Sequence, residues 1–201
     1  MNSKPQDINS TELFSDSIND EEVVKTVLSL DEVKKLITSH SDFPKTGVTF
    51  FDIHPIMANH QARKLLADTL YERYKDQNLD AVVGLESRGY YFGLPLAERL
   101  GLPFIPVRKP KKLPPPVYSY TYNLEYGTDT IEIQTTSLKE GARVVVIDDL
   151  LATGGTAVAA CTLLHKCNTH IVEFHCAMEI LDLKGREKIP EGVPIFVFFG
   201  F

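Results

Sequence analysis

The chain has 201 residues, 43% of them hydrophobic, which is enough for one compact domain with a buried core. Residues 1–22 set Lys4 against Asp7, Glu12, Asp16, Asp20, Glu21 and Glu22, so this stretch holds -5 of the net -6 and leaves the remainder at -1. A near-neutral body excludes the broad basic face of a nucleic-acid binder, and no run approaches the ~18 apolar residues of a membrane span. The N-terminus has no apolar signal-peptide core, and Cys161, Cys167 and Cys176 form no CxxC pair; both suit a soluble protein of a reducing compartment, with the cytoplasm as the expected address.

In chain order, residues 1–21 lack hydrophobic periodicity and read as a disordered acidic tail ahead of a single folded domain over 22–201. From Glu22 to Ser39, Val23, Val24, Val27, Leu28, Val33, Leu36 and Ile37 recur at helical spacing, which predicts two short helices divided near Leu30-Asp31. The turn-like run 42–47 precedes an extended segment 48–53, a helix over 61–77 and the apolar strand 81–85. A helix over 91–100, a strand 104–107, a proline-bearing loop and a strand pair inside 118–134 follow. Last come the apolar run 144–147, a helix over 156–166 and a strand over 172–179. Short Val/Ile/Leu strands alternating with helices predict an α/β fold, a central, mostly parallel sheet covered on both faces. Ligands of such folds gather beyond the C-terminal ends of the strands.

The run Val144-Val145-Val146-Ile147-Asp148-Asp149-Leu150-Leu151-Ala152-Thr153-Gly154-Gly155-Thr156-Ala157 is the most informative stretch. It reads as a buried strand, two adjacent acids, and a Thr/Gly turn that opens a helix. Glycines let backbone N–H groups converge on a phosphate, and the helix N-terminus adds partial positive charge. Two consecutive carboxylates beside a phosphate need something cationic or hydroxyl-rich between them and it, and a ribose diol with Mg²⁺ nearby meets that need. Further along the same reasoning, Arg88 follows a core strand at the ligand end of the sheet, and Arg108, Lys109, Lys111 and Lys112 place four cations within five residues of another strand end.

The Asp-Asp-x-x-x-Thr-Gly-Gly-Thr run resembles the motif by which type I phosphoribosyltransferases bind phosphoribosyl pyrophosphate (PRPP). Asp42-Phe43-Pro44, Gly84-Leu85-Glu86-Ser87-Arg88-Gly89-Tyr90, Val107-Arg108-Lys109 with Lys112-Leu113-Pro114, Leu124-Glu125-Tyr126-Gly127 and Leu183-Lys184-Gly185-Arg186-Glu187-Lys188 narrow the match to the adenine phosphoribosyltransferases. The likeness runs from about Leu36 to Phe199 with the motifs in family order. It implies the type I phosphoribosyltransferase fold, with a small base-covering hood around 36–58, and the transfer of phosphoribose from PRPP to adenine, giving AMP and pyrophosphate.

Residue by residue, the resemblance implies that Ala152, Thr153, Gly154, Gly155 and Thr156 hold the 5′-phosphate while Asp148 and Asp149 hold the ribose. Arg88, Arg108, Lys109 and Lys112 would meet the pyrophosphate, with a strained peptide at Glu86-Ser87. Thr49, Phe50, Phe51, Ala152 and Ile180 would receive adenine. Glu125 would manage the base proton, with Arg88 as the second catalytic residue. Mg²⁺ is the implied cofactor, held by PRPP, pyrophosphate and water rather than by protein ligands, and a homodimer is the implied assembly.

Phe51 departs from the arginine often found in the base-covering segment, and Pro115 from the glycine often found after Lys-Leu-Pro. The chemistry also admits a phosphoribosyltransferase for another purine, or a regulatory module that keeps the PRPP pocket with weak or no turnover. A zinc reading of Cys161, His165, Cys167, His170, His175 and Cys176 fails on order: helix, turn and strand would scatter them.

Overall fold

The computed structural model describes residues 28–123 and 127–201, so the expected tail, the helical run 22–27 and Glu125 lie outside the described residues. Helix α1 spans Leu30–Lys34 and opens with a capping box: the Ser29 hydroxyl accepts from the Glu32 N–H, and the Glu32 carboxylate accepts from the Ser29 N–H at 2.7 Å. The predicted helix does not continue to Ser39. Thr38–Ser41 is instead strand β1, paired antiparallel with β2 (Thr49–Asp52). A polar Thr-Ser-His-Ser run has little to bury on a helix face, and here its backbone is satisfied by the hairpin. The turn between the two strands is held by Gly47 N–H donating to Asp42 Oδ1 at 2.7 Å, with Gly47 at φ 84°, where glycine alone is unstrained.

Helices α2 (His54–Ala58) and α3 (His60–Tyr74) follow, then β3 (Ala81–Leu85), α4 (Tyr90–Leu100) and β4 (Phe104–Val107). The strand pair is β5 (Val117–Asn123) and β6 (Thr128–Gln134). The remaining regular elements are β7 (Arg143–Leu151), α5 (Gly155–Lys166), β8 (His170–Glu179) and β9 (Ile195–Gly200), with two short 3₁₀ turns over Leu181–Leu183 and Gly185–Lys188 between the last two strands. The 3₁₀ turns, β9 and α2 have no counterpart among the predicted elements, and α3 ends three residues before the predicted 77.

Five strands form one parallel sheet in the order β4-β3-β7-β8-β9, and β5–β6 is a separate antiparallel hairpin. Alternate residues of each strand feed opposite cores. Val83, Val144 and Val146 pack with α5 residues Ala160, Cys161 and Leu164 and with Ile131 and Ile133 of β6. Val82, Val145 and Ile147 pack on the other face with Leu66 and Leu70 of α3 and Phe92 and Leu96 of α4. All of these residues are buried, which is why the strands read as continuous apolar runs rather than alternating ones. Among the described residues no helix is long and apolar enough to cross a membrane, and no group of three or more His, Cys, Asp and Glu could hold a metal ion. His175, from the rejected zinc set, is wholly buried with Nδ1 3.0 Å from the Phe196 carbonyl.

Candidate active site

The C-terminal ends of β3, β4 and β7 open on one cleft of about 260 Å³, lined by Glu86, Arg88, Arg108, Lys109, Asp148, Asp149, Ala152 and Thr156 among others. Larger hollows lie elsewhere, notably a groove of about 410 Å³ between α3 and α4, but they lack this convergence of charge at the strand ends.

Strand β7 is buried along nearly its whole length and carries its two acids into the interior: Asp148 is 9% exposed and Asp149 6%. Burial pushes the Asp148 carboxyl well above the usual range, and the neighbouring Asp149 charge pushes it further. Burial also raises Asp149, against the opposing pull of Arg88. The Asp149 N–H donates to Asp148 Oδ1 at 2.9 Å. Arg88 Nε stands 2.7 Å from Asp149 Oδ2, close enough for an ion pair, yet at an angle that makes no hydrogen bond. Asp149 Oδ2 is therefore buried against a cation but has no well-aligned hydrogen-bond donor, which leaves it able to accept from a ligand.

Beyond β7 the chain turns through Ala152, Thr153 and Gly154 into α5. Gly154 lies in the left-handed region at φ 83° and serves as N-cap with no side-chain cap, so the first N–H groups of a twelve-residue helix face outward unclaimed by any capping side chain. The Thr156 hydroxyl is 3.2 Å from the Tyr122 hydroxyl, which also donates to Asp129 at 3.3 Å.

The opposite wall is basic but already paired. Arg108 grips Glu86 with Nε and Nη2 at 3.1 and 3.0 Å, and the Lys109 N–H donates to the same carboxylate at 2.9 Å. Arg108's hydrogen bonds hold the Glu86 carboxyl below the usual range. The Lys109 ammonium pairs with Asp129, where burial, which pushes the carboxyl up, is outweighed by Lys109 and the neighbouring donors. Lys112 enters this wall through its carbonyl, which accepts from Arg108 at 3.2 Å. The Glu86–Ser87 peptide is cis. Gly89 lets this loop lie flat on the end of β7, since a Cβ there would meet the Ile147 carbonyl oxygen at 2.5 Å.

From the hood, Phe50 alone of the predicted base-side residues has a described contact with the cleft: its ring lies 5.2 Å from the Arg88 guanidinium carbon, and Phe43 meets it edge-on at 5.2 Å. The Phe51 ring turns the other way and packs on Phe201 with centroids 4.6 Å apart. Thr49 is exposed in β2, and the Ile180 N–H donates to the Leu151 carbonyl at 2.9 Å, which sets Ile180 beside the start of the turn into α5.

Sequence reasoning missed Glu86, Tyr122 and Asp129. Glu86 had a signal, an acid at a strand end next to the arginine already singled out. Tyr122 belongs to the alternating Tyr118-x-Tyr120-x-Tyr122 of β5, but its reach to Thr156 depends on how the hairpin docks against α5.

The chain matches the family model of the phosphoribosyl transferase domain over residues 53–198. It is 45% identical to the adenine phosphoribosyltransferase of Chloroflexus aurantiacus over 174 residues, 87% of this chain and 100% of that one. A solved adenine phosphoribosyltransferase from Thermoanaerobacter pseudethanolicus superposes with TM-score 0.82 at 41% identity, over 86% of this chain and 100% of that one. The Saccharomyces cerevisiae enzyme, complexed with D-2,5-dideoxy-2,5-imino-altritol 1,6-bisphosphate and adenine, gives 0.79 at 39% identity, over 84% and 97%. A parallel sheet that delivers two buried acids and an uncapped helix to one cleft, joined to these likenesses along nearly the whole described chain, places it in the adenine phosphoribosyltransferase family.

Proposed function

We propose that the chain transfers the phosphoribosyl group of PRPP to adenine, giving AMP and pyrophosphate in purine salvage, and that the cleft residues divide the work as follows. The 5′-phosphate sits at the α5 N-terminus on Ala152, Thr153, Gly154, Gly155 and Thr156, where free N–H groups and hydroxyls meet its charge. The ribose diol donates to Asp148 and Asp149, and the donor-less Asp149 Oδ2 is the observation that carries this reading. Arg88 leaves Asp149 as the sugar arrives and joins Arg108, Lys109 and Lys112 around the pyrophosphate. As pyrophosphate departs, positive charge grows on the sugar beside the two aspartates while the cations take up charge on the leaving group.

The donor set fits a Mg²⁺ that keeps most of its ligands from substrate: hard carboxylate oxygens are present, with no group of three or more among the described residues to cage the ion. When bound, Mg²⁺ supplies charge neutralisation on the pyrophosphate. Adenine is proposed to lie against Phe50 and Ile180 near Ala152, read by backbone groups around Thr49 and Phe51; the outward turn of the Phe51 ring suits a main-chain role there. Glu125 is proposed to manage the base proton.

The assembly proposed is a homodimer, supported by Tyr91 and Leu94, exposed at 42% and 54% beside the α3–α4 groove. The compartment proposed is the cytoplasm, supported by three free cysteines. Turnover is tested by supplying PRPP, Mg²⁺ and adenine and measuring AMP and pyrophosphate together. Equal amounts of both are expected, whereas PRPP binding without either product would favour a regulatory module.

A further inference from the structure

We propose that Gly185 and Arg186 are positioning residues, and that the segment Leu181–Lys188 is a strap pressed against the back of the phosphate loop that sets its affinity for the 5′-phosphate end of the substrate. The proposal rests on the phosphoribosyl reading above. Two backbones meet here with no side chain between them. A Cβ on Gly185 would lie 2.2 Å from the Ala152 carbonyl oxygen and 2.9 Å from the Gly154 nitrogen, and a Cβ on Gly154 would lie 2.5 Å from the Gly185 carbonyl oxygen. Gly154 needs to be glycine in any case, because its φ is 83°; Gly185 is not among the positive-φ residues, so space is what its missing side chain provides. Adding one methyl group at Gly185 must therefore move Ala152 and Gly154, the two residues that lead into α5.

The strap is also anchored. Arg186 Nε and Nη2 donate to the two Glu179 oxygens at 3.2 and 2.6 Å, and Nη1 donates to the Ile195 carbonyl at 3.3 Å. Glu179 is 4% exposed, so its charge is committed to this two-pronged partner, and Arg186 is tied to both β8 and β9. The loop is thus fixed on one side by its own helix and on the other by a segment that begins after β8. Phosphate binding at N–H groups is steeply geometric, and a displacement of the loop by a few tenths of an ångström weakens several hydrogen bonds together.

The test is titration of the full chain with ribose 5-phosphate, with steady-state KM values for PRPP and adenine, in Gly185→Ala and Arg186→Lys. Loss of one or two hydrogen bonds to a charged group corresponds to about 10- to 100-fold in affinity, so Gly185→Ala is expected to weaken ribose 5-phosphate and raise the PRPP KM by that much. The adenine KM should move less, by no more than about threefold, because of the base-side groups only Ala152 is pressed by Gly185 while Thr49, Phe50 and Phe51 belong to β2. Arg186→Lys keeps the charge beside Glu179 but loses the fork, and should move the same two quantities by about threefold or more. It decides the question if Gly185→Ala does not fold. Unchanged ribose 5-phosphate affinity in the folded variants, or equal losses for PRPP and adenine, overturns the strap. A wild-type chain that binds no ribose 5-phosphate overturns the phosphoribosyl reading itself, and the strap with it.

Discussion

Asp148 and Asp149, at the end of β7, are buried, the first accepting from the Asp149 N–H and the second facing Arg88 without an aligned donor on Oδ2, whereas Arg108 and Lys109, two strands away at the end of β4, are partly exposed and firmly held by Glu86 and Asp129. The acid wall thus carries one buried, poorly matched acceptor, which the hydroxyls of the proposed ligand would satisfy. The basic wall gives up existing partners when a ligand comes, so its net gain per contact is smaller. Interactions made where water is excluded weigh more than interactions exchanged near the surface. Substitutions on the two walls should therefore differ in size.

The largest effect is expected at the acid wall. Asp149→Asn removes the charge proposed to face the developing positive sugar, and groups aimed at transition-state charge are typically worth about 10²–10³ in rate. A loss of kcat/KM for PRPP of that order, with circular dichroism unchanged, is expected from steady-state kinetics; wild-type kinetics would break the comparison.

A second consequence concerns stability. A carboxyl whose pKa burial raises above its unfolded value favours folding while protonated, at low pH, and that contribution is lost as pH rises through the folded value. At neutral pH the buried Asp148 is a cost, because its carboxyl must either hold a proton it would release in the unfolded chain or bury a charge. Asp148→Asn should therefore raise the Tm of the ligand-free chain by a few degrees at pH 7 to 8, since about 1 kcal/mol shifts a chain of this size by roughly 2–4 °C, while it lowers activity. Thermal scans should show the gap between variant and wild type closing as the pH falls towards about 4, where the unfolded carboxyl takes up its proton. A variant less stable than wild type at neutral pH would contradict that cost.

The smallest effect belongs to the basic wall. Lys109 and Asp129 are a partly exposed pair, worth about 0–1 kcal/mol, so Asp129→Asn should shift the PRPP KM by less than about fivefold and make it more salt-sensitive as Lys109 is released. A loss rivalling that of Asp149→Asn would mean that Asp129 acts through Tyr122 on Thr156 rather than through Lys109.

The same contrast governs what was legible in the sequence. The strand, the paired acids and the Thr/Gly turn are contiguous, so local spacing points to a ligand-facing turn at the mouth of a parallel sheet, and four of the five sheet strands, β9 excepted, are legible from their apolar content. The partners of the cations are not contiguous. Glu86 reaches Arg108, and Asp129 reaches Lys109, only because β3, β4 and the β5–β6 hairpin converge, and no local pattern records that. The β1 strand was unreadable for a related reason: Thr38–Ser41 is exposed and polar throughout, and pairing with β2 alone makes it a strand. In the hood, the residue that departs from its family, Phe51, was visible in sequence, but its partner Phe201 lies at the far end of the chain.

The central claim, that this cleft makes AMP from adenine by main-chain reading of the base, is tested most directly by comparing kcat/KM for adenine, hypoxanthine and guanine with PRPP and Mg²⁺. Adenine offers an amino group and an unprotonated ring nitrogen, and hypoxanthine reverses both, leaving two backbone groups facing unlike partners at about 1–3 kcal/mol each. Adenine should be preferred by at least ~10²-fold, and Phe51→Arg should leave that preference in place. Comparable use of hypoxanthine or guanine, or a preference that appears only in Phe51→Arg, would contradict the account.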